Sequence, residues 1–249
     1  MKSKFITDQG IVRSRNEDAG GTFYNQSNQL LAIVADGMGG HQAGDVASTL
    51  AVLCAKSKWE KNEVIHKAEE AEQFIQQLIV DMNELVFGSS KQHEQYEGMG
   101  TTVVIAICTP TFVSIGHVGD SRCYMYSETG FKQLTKDHSY VNELVRSGEI
   151  SEADAEDHPN KNVLLQVIGT DETVKSDIQS LSFEYGDALL LCSDGFYNKV
   201  SQDEIVKVIE ADGAFEARWQ PLVDLANERG GEDNITLVAV LHNEKEEEV

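Results

Sequence analysis

The chain is poor in cysteine and proline and has no long hydrophobic run, and these shortages exclude several classes of protein. Its 249 residues include four cysteines and three prolines, too few for a disulfide-stabilised secreted scaffold. No apolar run approaches the roughly 20 residues that are needed to span a bilayer, so we expect no membrane insertion. The N-terminus has two lysines without an apolar segment behind them, so we do not expect a signal peptide.

The cysteines also restrict the chemistry. All four lie inside apolar segments without paired spacing: Cys54, Cys108, Cys123 and Cys192. We interpret them as small buried side chains in a reducing compartment, and we therefore expect a cytoplasmic protein. None begins a Cys-x5-Arg loop, which excludes a cysteine-nucleophile phosphatase. No CxxC motif is present, which argues against zinc or redox chemistry.

Basic residues are scarce. Lys and Arg total 20 against 42 Asp and Glu, which gives a net charge of −22. This excess of negative charge argues against nucleic acid and anionic membranes as general partners. A phosphorylated substrate would not be attracted by the overall field, so its affinity must come from local metal ions and arginine. Walker loops and Rossmann GxGxxG motifs are also absent.

Four apolar runs adjoin an aspartate. These runs are 31–35 before Asp36, 113–118 before Gly119-Asp120, 188–192 before Ser193-Asp194, and 235–240 after Asp233. A single junction of this kind is also typical of an ordinary turn, but four junctions on strong apolar runs make that alternative weaker. If the strands share a core, the carboxylates converge and repel each other, which predicts bound divalent cations.

The glycines after Asp36 support a cation site. Gly37, Gly39 and Gly40 remove side chains where the backbone must approach another group closely. A carboxylate beside an unhindered backbone carbonyl is a suitable ligand set for a hard, oxygen-binding cation.

The order of predicted elements indicates the fold class. We predict strands at 3–7, 10–13, 30–35, 102–108, 111–118, 122–127, 131–134, 178–184, 187–192 and 235–241, and helices from 43, at 63–86, 201–210 and 214–229. Strands in groups, with helix pairs between them, favour an α+β fold with two antiparallel β-sheets face to face and helices outside. The apolar stripe of 63–86 would also suit a coiled coil, but we expect it to face the core. The polar segment 136–162, with helical patterns at 139–147 and 151–156, is expected to lie on the surface near the site.

Seven motifs occur in the order of a known family. They are Arg13-Ser-Arg-Asn-Glu-Asp18, Asp36-Gly-Met-Gly-Gly-His41, Gly98-Met-Gly-Thr-Thr102, His117-Val-Gly-Asp-Ser-Arg122, Asp137-His-Ser139, Ser193-Asp-Gly195 and Gly231-Glu-Asp-Asn-Ile-Thr236. Each motif is weak alone, but together they span nearly the whole chain. The chain resembles the small bacterial PPM-type metal-dependent protein serine/threonine phosphatases.

The resemblance implies an architecture. It suggests a four-layer α/β/β/α sandwich with the metal centre at one edge of the two sheets. We expect a single phosphatase catalytic domain at 1–242, which includes a flap at about 136–169, and an acidic C-terminal tail at 243–249.

The resemblance also implies a ligand set for two Mn²⁺ or Mg²⁺ ions. Asp36 would bridge both ions, and Gly37 would contribute its backbone carbonyl. The other expected contacts are Asp194 and Asp233 on the second ion, Asp120 with Asp194 at a third, weaker site, and Glu17 and Asp18 through water. Oxygen-only ligands suit these metals.

The implied reaction is attack of a metal-bridging hydroxide on phosphorus, with Arg13 holding the substrate phosphate. Arg13 alternatively forms a surface pair with Glu17 or Asp18. The proton donor to the leaving group stays open. Many eukaryotic relatives have His directly after the Asp-Gly, where this chain has Met38, so His41 or a metal-bound water would take that role.

Three functions are compared. The first is hydrolysis of phosphoserine and phosphothreonine in phosphoprotein substrates, opposing a bacterial Ser/Thr kinase and sharing its targets, by a monomer. The second is a catalytically inactive pseudophosphatase that serves as a binding module. The third is a hydrolase of small phosphoesters or nucleotides. The presence of Asp36, Asp194 and Asp233 argues against the second.

Overall fold

The computed structural model describes residues 1–39, 43–156 and 158–243. The strands in these residues are β1 (Lys2–Asp8), β2 (Asp18–Tyr24), β3 (Leu30–Met38), β4 (Gly100–Thr101), β5 (Val103–Cys108), β6 (Phe112–Val118), β7 (Arg122–Ser127), β8 (Gly130–Gln133), β9 (Asp177–Ser182), β10 (Ala188–Cys192) and β11 (Ile235–Leu241). The α-helices are α1 (Gly44–Trp59), α2 (Ala68–Gln92), α3 (Tyr140–Ser147), α4 (Glu152–Glu156), α5 (Asp194–Tyr197), α6 (Gln202–Glu210) and α7 (Gln220–Glu228). Short 3₁₀ helices lie at Glu94–Tyr96 and Phe215–Ala217.

The strands form two sheets, and every pairing between them is antiparallel. One sheet has the order β1-β11-β10-β7-β8, and the other has the order β2-β3-β5-β6-β9 with β4 paired to β3. The prediction of an α+β fold with two antiparallel sheets in a four-layer α/β/β/α sandwich is confirmed. Among the described residues, no helix is long and apolar enough to cross a bilayer.

Three hydrophobic clusters separate the four layers. In β3, Leu31 and Ile33 pack towards α1 and α2, while Ala32 and Val34 pack between the two sheets. In the other sheet, Leu189 and Leu191 of β10 face this central layer, and Leu190 packs against the cluster around Phe196 and Trp219. Strands covered on both faces have continuous apolar sequences, which explains the unbroken apolar runs of residues 30–35 in β3 and of all of β10.

The strand directions bring the aspartates to one edge of each sheet. β3 and β6 are both antiparallel to β5, so they run in the same direction, and Asp36 and Asp120 lie at the same edge. β10 is antiparallel to β11, so the end of β10 lies beside the start of β11. Asp194 and Asp233 therefore lie at one edge of the second sheet.

The predicted strand at 10–13 is wrong. β1 pairs with β11, and residues 10–13 form a loop in which Ile11 and Val12 are exposed. Gly10 has φ +79°, and a Cβ there would lie 2.2 Å from the carbonyl oxygen of Asp233, so the chain turns towards the start of β11. The prediction missed β2, because Gly20 and Gly21 have low strand propensity.

Two helix boundaries also differ from the prediction. The second helix covers Ala68–Gln92 rather than 63–86. The predicted helix at 214–229 is divided into the 3₁₀ turn Phe215–Ala217 and α7, which has a proline in its first turn. Proline is accepted there because the backbone N–H groups of the first turn have no partner within the helix.

Candidate metal centre

Asp36 lies where the two sheets meet. Its backbone is fixed by threonines of the neighbouring segment: Thr101 Oγ1 donates to the Asp36 carbonyl oxygen (2.9 Å), Thr102 N donates to the same oxygen (2.8 Å), and Asp36 N donates to Thr102 Oγ1 (3.1 Å). Asp18 is the cross-strand partner of Asp36. The two side chains therefore project from the same face of the β2–β3 pair.

Five carboxylates influence one another in this region. Burial raises the pKa of Asp36 well above its usual value, and nearby Asp18, Asp194, Asp120 and Asp233 raise it further. The geometry agrees: Asp18 pairs across the strands with Asp36, Ser193 beside Asp194 donates to Asp18, and Asp120, Asp194 and Asp233 line one cavity. The structure therefore brings together the four aspartates that the strand ends predicted, and it adds Asp18.

The pKa values of the neighbouring carboxylates are raised as well. Burial, followed by the charge of Asp194, raises the pKa of Asp120 to about 7. Burial raises the pKa of Asp194, with Asp233 as the next cause, and burial also raises the pKa of Asp18. At neutral pH, the cation-free cluster would thus retain protons that a bound divalent ion would displace.

Two buried carboxylate oxygens are unsatisfied. Asp18 Oδ1 and Asp194 Oδ1 have no hydrogen-bond partner among the described residues. The other oxygen of Asp18, Oδ2, accepts a 2.7 Å hydrogen bond from Ser193 Oγ, which fixes the orientation of the carboxylate. Unpaired buried oxygens are rare and costly. These oxygens lie in a cluster of negatively charged carboxylates, and oxygen atoms of this kind are suitable ligands for Mg²⁺ or Mn²⁺.

Gly37 is needed because three backbone segments meet beside it. A Cβ on Gly37 would lie 2.1 Å from the carbonyl oxygen of Gly44 and 2.5 Å from that of Glu17. Gly37 N also donates to the Glu17 carbonyl oxygen (3.1 Å). The start of α1 can therefore approach the end of β3 only because glycine occupies position 37.

Glu17 is a half-buried neighbour of the cluster. Its side-chain Cδ would lie 2.9 Å from a Cβ on Gly44, and burial raises the pKa of Glu17. Its backbone carbonyl accepts a 2.6 Å hydrogen bond from Ser48 Oγ. Glu17 is therefore held beside the carboxylates, on the side where α1 begins.

Arg13 lies at the exposed rim of the same group. Arg13 Nη2 donates to Asp233 Oδ2 at 2.7 Å, and the arginine side chain is 49% exposed. The sequence left open a pair with Glu17 or Asp18, but the structure pairs Arg13 with Asp233. The predicted phosphate ligand thus contacts a predicted metal ligand. His41 lies outside the described residues.

Sequence reasoning assigned no role to Asn234, which braces the site. Asn234 Oδ1 accepts from Glu17 N, and Asn234 Nδ2 donates to the carbonyl oxygens of Gln9 and Arg15, all at 2.8 Å. These bonds hold the loop that carries Arg13 and Glu17 against the start of β11. The available signal was its position directly after Asp233 in a recognised motif.

A cavity of about 860 Å³ opens beside the carboxylates. Its walls include Asp120, Asp194 and Asp233 on the sandwich side and Val141 and Asn142 of α3 on the other. A chain segment of a larger molecule has room to lie between these walls with one group against the cluster.

Comparison with known proteins gives consistent matches. The family model for protein phosphatase 2C matches residues 11–242. A serine/threonine phosphatase stp of Listeria monocytogenes is 43% identical over 240 residues, 96% of this chain and 95% of that protein. The crystal structure of the serine/threonine phosphatase Stp1 of Staphylococcus aureus has a TM-score of 0.89 at 39% identity, over 96% of this chain and 93% of that chain. The catalytic domain of the serine/threonine protein phosphatase PstP, solved in complex with two manganese ions, has a TM-score of 0.81 at 28% identity, over 96% of both chains.

Proposed function

This chain belongs to the protein phosphatase 2C family and is a metal-dependent serine/threonine protein phosphatase, and we propose that the acidic cluster around Asp36 is its metal centre. One observation carries the proposal: carboxylates from both sheets converge, and two of their buried oxygens, Asp18 Oδ1 and Asp194 Oδ1, lack a partner among the described residues. A divalent cation satisfies such oxygens and removes the repulsion between them.

We propose the following ligands. Asp36 would hold two ions, Mn²⁺ or Mg²⁺, with the Gly37 carbonyl on one and Asp194 and Asp233 on the other. Asp120 and Asp194 would hold a third, weaker ion, and Glu17 and Asp18 would act through water. The two manganese ions in the PstP catalytic domain support a site of more than one ion.

The residues of the chain supply the binding and orientation. When bound, the ions lower the pKa of coordinated water for attack on phosphorus and neutralise the phosphoryl charge. The exposed Arg13 guanidinium beside Asp233 holds the substrate phosphate through a forked contact that lysine cannot make. His41 stays a prediction as the proton donor to the leaving alkoxide.

The finer assignments are also proposals. We propose a catalytic domain at 1–242 with its flap at about 136–169 and an acidic tail at 243–249. We further propose a cytoplasmic monomer that opposes a cognate Ser/Thr kinase. The unpaired state of all four cysteines supports a reducing compartment.

The decisive experiment measures phosphate release from a phosphothreonine peptide after EDTA stripping, with and without added Mn²⁺. We expect release only with metal and none from Asp36→Asn. ATP and p-nitrophenyl phosphate are tested in parallel. Preference for ATP over the phosphopeptide would favour the small-phosphoester hydrolase. Folded protein without release under any divalent metal would favour the binding module, which the comparisons do not support.

A further inference from the structure

The polar segment that carries α3 and α4 leaves the sandwich at Asp137 and His138; His138 contacts the loop that carries Asp120, and Asp137 contacts Arg122 at the start of β7. His138 N donates to the Gly119 carbonyl oxygen (2.9 Å), and Gly119 N donates to His138 Nδ1 (3.3 Å). Both backbone polar groups of Gly119 are thereby engaged by one residue. The position of the next residue, Asp120, follows from this contact.

Arg122 forms a bidentate ion pair with Asp137. Its Nε donates to Asp137 Oδ1 (3.0 Å) and its Nη2 to Asp137 Oδ2 (2.7 Å). The guanidinium carbon lies 3.7 Å from the ring centroid of Tyr197, which is the last residue of the short helix that begins with Asp194. A planar fork that also stacks on an aromatic ring is specific to arginine. Arg122 therefore connects Asp137 to the helix of a second proposed metal ligand.

The His138 ring contacts Asp177 and His117. His138 Nε2 lies 3.4 Å from Asp177 Oδ2, and the His138 ring stacks on His117 at 4.5 Å with 25° between the planes. Since Nδ1 of His138 accepts from Gly119, its Nε2–H faces Asp177. His117 Nε2 donates to the Lys136 carbonyl oxygen (2.8 Å).

The same three side chains are close enough to consider a metal ion. The nearly parallel rings argue against one, because nitrogen lone pairs in two stacked planes do not converge on a common point as tetrahedral ligation requires. The Gly119 N–H also occupies His138 Nδ1, which would have to carry a proton if Nε2 bound a metal. The cluster is therefore better suited to fixing the orientation of His138.

We propose that Asp137 and His138 form a clamp that positions Asp120 for the weakly bound third cation, with Arg122 and Asp177 as the residues that hold the clamp. We call Asp137 and His138, together with Arg122 and Asp177 that hold them, the flap clamp. The inference rests on the proposed function, because it assumes that Asp120 is a cation ligand. All four are positioning residues that act through Asp120.

The test measures equilibrium binding of Mn²⁺ to the EDTA-stripped full-length protein by titration calorimetry and electron paramagnetic resonance. Asp120→Ala first identifies which ion depends on Asp120. We expect Arg122→Lys to lower the affinity for that ion about tenfold, because loss of a residue that holds a metal ligand typically costs about 10–100-fold in metal affinity. The ion held by Asp36 and Gly37 should keep its affinity within about twofold, since Arg122 contacts the segments that carry Asp120 and Asp194 and neither of these two residues.

Arg229→Lys is the matched control. Arg229 also forms a two-pronged contact with a carboxylate, Glu204 (2.8 and 2.6 Å), but it does not line the cavity. This control shows what the loss of an arginine fork does elsewhere on the surface, and we expect no change in Mn²⁺ binding.

Kinetics separate positioning from direct catalysis. In Arg122→Lys, the Mn²⁺ concentration that gives half-maximal activity should rise, while kcat at saturating Mn²⁺ should return to within about twofold of wild type. Arg122→Met, which also lacks the charge, should require still more Mn²⁺. A loss of kcat that saturating Mn²⁺ does not restore would overturn the positioning role.

The remaining outcomes are decisive as well. If Asp120→Ala changes no Mn²⁺ binding, the proposed ligand is wrong, and the proposed function loses its third ion. If Asp120→Ala removes an ion but Arg122→Lys binds it as wild type does, the clamp is refuted and the metal centre stands. Should Arg122→Lys fail to fold, Asp177→Ala replaces it, because the Asp177 side chain is 68% exposed and alanine has no acceptor for His138 Nε2–H. Unchanged affinity in Asp177→Ala would then refute the clamp.

Discussion

Replacing Asp120 by asparagine should stabilise the cation-free protein at alkaline pH. Asp120 is half-buried beside Asp194 and Asp137, and burial followed by these charges raises its pKa from the usual 3.8 to about 7. Asparagine has nearly the same shape and carries no charge. The variant therefore removes the cost of ionising this carboxylate inside the cluster.

The sign follows from proton linkage. The folded-state pKa lies above the unfolded-state pKa, so the wild-type free energy of unfolding falls as pH rises from about 4 to about 7. The interval from 3.8 to about 7 corresponds to about 4 kcal/mol at 1.36 kcal/mol per pH unit. Solvent at the half-buried carboxylate screens part of this cost. We therefore expect a gain of about 2–4 kcal/mol at pH 8, or roughly 5–15 °C in Tm for a chain of this size.

The assay is thermal unfolding followed by circular dichroism in EDTA at pH 4.5 and pH 8. Asp120→Asn should melt well above wild type at pH 8 and close to it at pH 4.5. Asp212→Asn is the control, because Asp212 lies in an exposed loop away from the cluster. With Mn²⁺ the advantage of the variant should shrink, because a site filled at 100 times its Kd stabilises the native state by about 2.7 kcal/mol and the variant lacks the Asp120 ligand of the third site. Equal melting of Asp120→Asn and wild type in EDTA at pH 8 would refute the electrostatic argument.

Three further predictions concern the same site. Asp36→Asn should abolish phosphate release from a phosphothreonine peptide and weaken Mn²⁺ binding in calorimetry, whereas normal turnover would remove Asp36 from the mechanism. Arg13→Ala should raise KM for the phosphopeptide about 10–100-fold, because a hydrogen bond to a charged group contributes about 1.5–3 kcal/mol. Arg13→Lys should recover only part of this loss, and an unchanged KM in Arg13→Ala would contradict the phosphate contact. Asn234→Ala loses three hydrogen bonds. At about 1 kcal/mol per hydrogen bond, Tm should fall by about 5–10 °C. Thermal unfolding checks this, with Asn160→Ala as the exposed control.

Much of the fold could be predicted from local sequence, because the main strands are apolar on both faces. Residues 30–35 of β3 and all of β10 lie between two packed layers, so every residue in these two runs is apolar and the strands are evident from the sequence. β2 was missed for the opposite reason. Gly20 fits under the Phe5 ring, where a Cβ would lie 2.9 Å from Phe5 Cε2, and that tertiary contact overrides the low strand propensity of glycine.

The carboxylates of the candidate site could be predicted from the sequence, but the residues that hold them in place could not. Asp36, Asp120, Asp194 and Asp233 are evident because each adjoins a strand end. The contacts of Arg122 with Asp137 and Tyr197 join residues from three elements. No local pattern in the sequence indicates such a contact, because it depends on how the elements pack.

The sequence by itself determined the class of elements, the acidic strand ends and the motif order, since these depend on side-chain type and spacing along the chain. The tertiary structure alone decided that Arg13 contacts Asp233, that Asn234 holds the Arg13 loop, and that His138 holds the loop before Asp120. These contacts join residues 19 to 220 positions apart. They arise only after the two sheets have packed, because burial of apolar surface is non-directional and the polar contacts then select among the packed arrangements.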